Sequence, residues 1–218
     1  IRGVKVYVTV NTLYKDSELT EFIKFVKELY MIGVDALIVQ DAGAANLIKR
    51  SFPDMKINAS TQLTANTAED VLFLQKNGFD KVILSRELTL EEIKNIRKST
   101  DVDIECFVHG ALCVSFSGQC IMSSILGGRS GNRGCCAQPC RLPYELYENR
   151  DKVCDGYLMS PKDVETLEIL PQLIEAGINS FKIEGRMKNP EYVAGVTSIY
   201  RKYIDLYFDD PENYKVDR

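Results

Sequence analysis

A short apolar segment followed by an amphipathic one recurs along this chain, and that rhythm restricts the fold more than any other feature. Residues 4–10 are rich in Val with a Tyr, and they end at Asn11-Thr12, which reads as a strand running into a turn. Leu19, Phe22, Ile23, Val26, Leu29 and Tyr30 then recur at helical spacing over 17–31. Gly33 supplies the stop that glycine commonly provides just past a helix end. The same pair follows as a strand at 34–39 with a helix near 42–49, and a strand at 56–60 with a helix at 67–76 stopped by Asn77-Gly78. A strand at 81–84 with a helix at 89–97 comes next, then a strand at 102–108. Beyond a less regular stretch, the pattern predicts a short strand at 157–159, a helix at 161–176 stopped by Gly177, a strand at 180–183 and a long helix at 190–207. Pro161 and Pro190 fall just inside helix starts, where the missing N–H of proline is no loss.

Strands that lack alternation and are separated by helices read as a parallel sheet covered on its outer side. Six strands, or seven with 157–159, fall short of the eight in a closed barrel. No Gly-x-Gly-x-x-Gly turn follows the first strand, which argues against a doubly wound sheet. The expectation is an α/β fold, a TIM-barrel-like (β/α) barrel that is incomplete at about six to seven units. It forms one domain over 1–218 with a cysteine-rich insertion at about 109–156. The chain starts at Ile1 rather than methionine, in keeping with a barrel that lacks its first one or two units. Chemistry in such folds gathers at the C-terminal strand ends. Those ends carry Asn11, Gln40-Asp41, Thr61-Gln62, Ser85-Arg86-Glu87, His109 and Glu184-Gly185-Arg186. Loops are polar in any protein, but a shared position after successive apolar strands points to one mouth. Gly110 and Gly185 would let backbone approach a ligand closely there.

All seven cysteines lie between Cys106 and Cys154: Cys106, Cys113, Cys120, Cys135, Cys136, Cys140 and Cys154. From Cys106 to Tyr144 there is no Asp or Glu, while Arg129, Arg133 and Arg141 all fall there. This is a basic island in a chain of net charge -4. The overall balance argues against binding nucleic acid through bulk electrostatics. The island itself suits either phosphate or the charge left when four thiolates surround a dicationic four-iron cluster. Four readings of the thiols stay open on the residues alone. Zinc normally shows Cys-x-x-Cys knuckles, and none is present. Disulfides need an oxidising compartment, and seven is odd. A Cys113/His109 nucleophile–base pair is spaced four residues apart and uses the sole histidine. An iron–sulfur cluster suits thiolates from separated loops.

The stretches Glu105-Cys106-Phe107-Val108-His109-Gly110-Ala111-Leu112-Cys113, Ser117-Gly118-Gln119-Cys120, residues 136–144, Ser160-Pro161-Lys162-Asp163 and Ala176 through Lys188 resemble the collagenase-like peptidase U32 family. The resemblance covers nearly the whole chain, although the family's usual opening strand with an apolar-Pro-Ala-Gly motif is missing. The family name implies proteolysis. Other members are implicated in hydroxylating tRNA, ribosomal RNA or a ubiquinone precursor, and the ubiquinone-related ones carry a 4Fe–4S cluster. By that resemblance the ligands here are Cys113, Cys120, Cys136 and Cys154, with Cys140 as the stand-in for Cys154 and zinc as the alternative metal. Cys106, Cys135 and Cys140 are then extras.

The function this implies is iron–sulfur-dependent hydroxylation of an RNA base or a small aromatic substrate. Asn11, Gln62, Arg86, Glu184 and Arg186 line the mouth. Arg86 and Arg186 hold an anionic group, and His109 and Glu184 act as acid or base. tRNA or rRNA would meet the basic cysteine-rich segment, and the chain would pair with itself or another family member. The expected location is the cytoplasm, since no apolar run nears the roughly 18 residues of a membrane span. Two rivals remain. One is a thiol peptidase, although there is no His-Glu-x-x-His, no Gly-x-Ser-x-Gly and a single histidine. The other is a non-catalytic partner subunit.

Overall fold

Strand and helix alternate from the first element: β1 (Tyr7–Val10), α1 (Leu19–Ile32), β2 (Ala36–Val39), α2 (Ala42–Ser51), β3 (Ile57–Ala59), α3 (Ala68–Lys76), β4 (Lys81–Ile83), α4 (Leu90–Ser99) and β5 (Asp103–Gly110). The computed structural model describes residues 3–185 and 188–217. After β5 comes the cysteine-rich stretch with α5 (Met122–Gly127) and a hairpin of β6 (Tyr144–Glu148) and β7 (Asp151–Gly156). The chain returns through β8 (Val164–Glu165), α6 (Leu170–Glu175), β9 (Ser180–Ile183) and α7 (Pro190–Asp209). Helix starts are set by side chains that satisfy the free N–H groups of the first turn. Asp41 accepts from Ala44 N, Asn189 from Tyr192 N, and Thr67/Asp70 and Thr89/Glu92 form reciprocal capping boxes.

The strands lie in the order β1-β2-β3-β4-β5, with β9 beside β5, and these six are parallel. Among the described residues no pairing joins β9 to β1. The fold is α/β and TIM-barrel-like, and its sheet is open. β8 adds two antiparallel residues at the C-terminal end of β5.

Partners in a parallel register share a face. Tyr7↔Ala36, Thr9↔Ile38, Ile38↔Asn58, Asn58↔Lys81, Ile83↔Glu105 and Phe107↔Lys182 put a mixed polar set on the concave side. Leu37, Val39, Ile57, Val82, Ile104 and Val108, of the opposite parity, are fully buried. They pack against Phe22 and Val26 of α1, Ile48 of α2, Val71 of α3, Ile96 of α4 and Leu170 of α6. Strands without alternation in burial are found at β2, β3 and β4, all of whose residues are buried. β1 and β5 mix buried with more exposed positions, because only one face meets helices while the concave face borders an open cavity. On that face Glu105 is buried between Lys81 (3.4 Å) and Lys182 (3.1 Å) and accepts a hydrogen bond from Ser180 Oγ at 2.8 Å.

Two sequence expectations need correction. The helix read at 161–176 begins only at Leu170. Residues 161–163 have no regular structure, Val164–Glu165 takes the edge of β5, and Pro171 rather than Pro161 occupies the first helical turn. Residues 157–159 form a turn closed by Ser160 N to Tyr157 O at 3.0 Å. The extended structure of this region is the β6–β7 hairpin, whose connecting Asn149 and Arg150 both have positive φ, as a tight two-residue turn requires.

Candidate functional site

The C-terminal ends of the parallel strands open into a cavity of about 730 Å³. Its barrel wall comprises Thr9 and Asn11 from β1, Ser60 and Gln62 after β3, Arg86 after β4, Phe107 on β5, and Lys182 and Glu184 from β9. The other wall is the insertion, which contributes Cys113, Cys120, Cys136, Asn132 and Arg133. Asn11 Nδ2 donates to Gln62 Oε1 at 3.0 Å and to Ser60 Oγ at 3.3 Å, tying two strand ends together.

Arg86 lies 3.8 Å over the Phe107 ring, with Lys182 Nζ 5.4 Å from the same ring. Its guanidinium is 3.6 Å from Glu184 Oε2. Desolvation draws the pKa of Arg86 below its ordinary value, while the charges of Glu184, Cys113 and Glu87 act in the opposite sense. Arg86 Nε is buried without a hydrogen-bond partner. Glu184 is brought to this position by a backbone crossing: its N–H donates to His109 O at 2.8 Å. Gly110 lies so close that a Cβ there would stand 2.5 Å from the Glu184 carbonyl oxygen.

Between Cys113 and Cys120 the chain reverses through Ser117 and Gly118, at φ 44° and 75°. Cys120 Sγ accepts the N–H of Met122 at 3.4 Å, and Cys136 Sγ that of Gln138 at 3.3 Å. Cys140 is half-buried and, like Cys154, is not among the residues lining the cavity. Desolvation raises its thiol pKa, Arg141 opposes that, and the nearby Cys113, Cys136 and Cys120 raise it further. Cys113, Cys120 and Cys136 line one wall of the cavity, and Cys140 follows them in the same insertion. Cys154 is exposed on β7 opposite Leu146, and it is not among the residues lining the cavity. Among the described residues no three His, Cys, Asp or Glu side chains converge on a point where one metal ion would sit. Cys106 is a core residue of β5 whose thiol is pushed up to about 12 by burial and then by Glu105.

His109 is not at the mouth. The β5–β9 register slips between Phe107 and His109, so His109 pairs with Ile183 and turns to the helix side. Its ring packs 5.7 Å from Tyr200 and 6.1 Å from Tyr192 of α7, and its Nδ1 is buried without a partner. The Cys113/His109 pairing is thus not formed. Arg186 lies outside the described residues. The arginines of the basic island are engaged within the chain. Arg129 Nε donates to Cys135 O at 3.0 Å, and Arg133 forms a fork on Glu18 (2.9 and 2.7 Å) and reaches Leu13 O at 2.8 Å. Arg141 donates to Ser160 Oγ, Pro161 O and Leu112 O at 2.8, 2.9 and 2.5 Å. Lys182 and Phe107 were missed as cavity residues. Their signal was present, since Ser180-Phe181-Lys182-Ile183 and Glu105-Cys106-Phe107-Val108 alternate.

An open (β/α) barrel with thiols gathered at its C-terminal mouth defines the class. The chain belongs to Peptidase family U32, whose model matches residues 1–218. It is 44% identical over 210 residues to the 23S rRNA 5-hydroxycytidine C2501 synthase of Escherichia coli K12, covering 95% of this chain and 32% of that protein. It is 38% identical over 229 residues to tRNA hydroxylation protein P1 of Bacillus subtilis 168, covering 99% of this chain and 53% of the relative. It is 34% identical over 222 residues to a collagenase of Porphyromonas gingivalis W83, covering 94% and 53%. The chain spans between about a third and about half the length of these relatives. Among the described residues no helix is long and apolar enough to cross a membrane.

Proposed function

We propose that this chain is the barrel portion of an RNA-hydroxylating enzyme, working in the cytoplasm on a tRNA or rRNA base, with a 4Fe–4S cluster held by Cys113, Cys120, Cys136 and Cys140. The observation that carries the reading is the presence of Cys113, Cys120 and Cys136 on one wall of the cavity at the mouth of the barrel, two of them accepting backbone N–H groups. Such N–H···S contacts stabilise thiolates and tune a cluster's potential. The family relatives named for rRNA and tRNA hydroxylation support the substrate class.

When bound, the cluster supplies electron transfer. The remaining work falls to this chain's side chains. A cavity of about 730 Å³ is of a size to take one extruded base or a small aromatic molecule. Arg86 and Lys182, on the face of Phe107 and paired with Glu184 and Glu105, line the wall that would meet an anionic group. Glu184, beside Arg86, is placed to take or return a proton, while the Asn11–Gln62 bond fixes the polar rim. The exposed apolar and aromatic residues of the insertion, rather than its engaged arginines, are left to meet RNA. The peptidase reading rests on the collagenase-named relative; Cys113 has no histidine beside it.

The test is purification without oxygen, with the visible spectrum and iron and sulfide per chain recorded. Iron and a thiolate–iron absorption are expected, lost in Cys140→Ala and kept in Cys154→Ala. An iron-free wild-type protein would sink the cluster reading, and loss of iron in Cys154→Ala alone would restore Cys154 as ligand. Mass spectrometry of nucleosides from cells with and without the gene tests the substrate class.

A further inference from the structure

We propose that Glu87 is a positioning residue for the thiol centre: its carboxylate holds Ser117 in a left-handed conformation that sets where Cys113 and Cys120 stand. The inference rests on the thiol-centre reading but concerns the loop itself. Ser117 is fully buried and has φ 44° and ψ 31°, a region that a side chain with a Cβ enters at a cost. Its N–H donates to Glu87 Oε1 at 2.7 Å and its hydroxyl to Glu87 Oε2 at 2.9 Å. Buried donors must be paired, and bonds to a carboxylate are the strong kind. One carboxylate therefore both satisfies this residue and offsets its strained backbone.

The placement gives the clamp its meaning. Glu87 directly follows Arg86 in the loop after β4, so one segment delivers a cation to the cavity and an anion to the thiol loop. The next residues are gripped from the loop after β3, where Gln119 Nε2 donates to Gln62 O at 2.5 Å and to Thr64 Oγ1 at 3.3 Å. The reversal between the two thiols is thus laid on the barrel at two points, only one of which is ionic. A loop that merely rests on the surface would not need its central residue in a conformation suited to glycine.

The experiment compares Glu87→Ala, Glu87→Gln, Ser117→Gly and the double variant Glu87→Ala/Ser117→Gly with wild type. Three readouts are taken: hydrogen exchange over residues 113–120 in metal-free protein, alkylation rates of individual cysteines by mass spectrometry, and iron per chain after anaerobic reconstitution. Glu87→Ala is expected to speed exchange and alkylation at Cys113 and Cys120 by about tenfold. Cys135 and Cys154 should be unchanged, and iron retention should fall. Ser117→Gly in the same background should restore slow alkylation, because glycine takes positive φ without a clamp. Glu87→Gln, which keeps an acceptor oxygen, should fall between. Should Glu87→Ala not fold, the Glu87→Gln and Glu87→Gln/Ser117→Gly pair gives the same comparison. Unchanged exchange and thiol reactivity at 113–120 in a folded Glu87 variant, or failure of Ser117→Gly to rescue it, would overturn the proposal. An iron-free wild type with altered thiol rates in Glu87→Ala would instead overturn the cluster and leave the clamp standing.

Discussion

At Gly110 the backbone adopts φ 109°, and a Cβ would stand 2.5 Å from the carbonyl oxygen of Glu184 and 2.9 Å from its Cβ. Alanine there must both strain its own backbone and push the end of β9 away from β5. Gly110→Ala is expected to cost about 2–3 kcal/mol in denaturant unfolding, and a crystal structure should show Glu184 withdrawn from Arg86. An unchanged unfolding midpoint would mean that β9 yields without loss. Gly110 was expected to let a ligand approach, and what approaches it is the backbone of Glu184; Cys113, Cys120 and Cys136, marked by the family resemblance, line the cavity. Where His109 points was not legible in the sequence. The parity of β5 predicts a side chain on the concave face, and one irregularity between Phe107 and His109 turns it to α7 instead. Single-residue slips of this kind exchange the faces of every later side chain in a strand.

The insertion is fastened to the barrel by ionic and polar clamps rather than by a core. Arg133 reaches Glu18 at the start of α1, and that carboxylate is held at about 2, first by the Arg133 hydrogen bond and then by the N–H of Lys15. Glu18 keeps its charge through mild acid, so this clamp outlasts ordinary acidification. Arg133→Ala should loosen residues 131–136 and raise the alkylation rate of Cys136. The barrel's unfolding midpoint should move little, since exposed pairs contribute little to global stability. Salt at about 1 M should produce part of the same effect in wild type by screening. A Cys136 rate unmoved in both would show that the loop is held by other contacts. The sequence marked these arginines as a basic island suited to phosphate or thiolate. Which anion each would find was a matter of tertiary contact, and the partners include Glu18, 115 residues away, and main-chain carbonyls. Likewise, the pattern at 161–176 carried no sign that Val164 and Glu165 would pair with Gly110 and His109.

Across the molecule, the concave face joins β4, β5 and β9 through Glu105, Lys81 and Lys182. Burial raises the pKa of Glu105, but Lys182, Ser180 and Lys81 together more than offset this, and the net displacement is downward. A carboxyl depressed in the folded state binds its proton more readily when unfolded. The stability it contributes is therefore present above the ordinary glutamate range and lost as pH falls through the folded value. Wild-type protein should lose stability on acidification through that window, and Glu105→Gln should show a flatter profile there. At neutral pH the variant should be about 2–3 kcal/mol less stable, because Lys81 and Lys182 lose their counter-charge. Parallel pH profiles for the two proteins would place the acid sensitivity elsewhere.

The alternation of strands and helices through β5, the clustering of the cysteines and the polar strand ends were determined by the sequence itself. Periodicity, caps and turn residues act over a few positions, and each such signal is complete within its own segment. The tertiary structure decided what depends on distant partners. It left the sheet open, put Cys113, Cys120 and Cys136 on one cavity wall, placed Cys154 on a hairpin, and turned His109 away from the cavity. Those outcomes follow from register, a strand irregularity and long-range ion pairs, which no local window of residues contains.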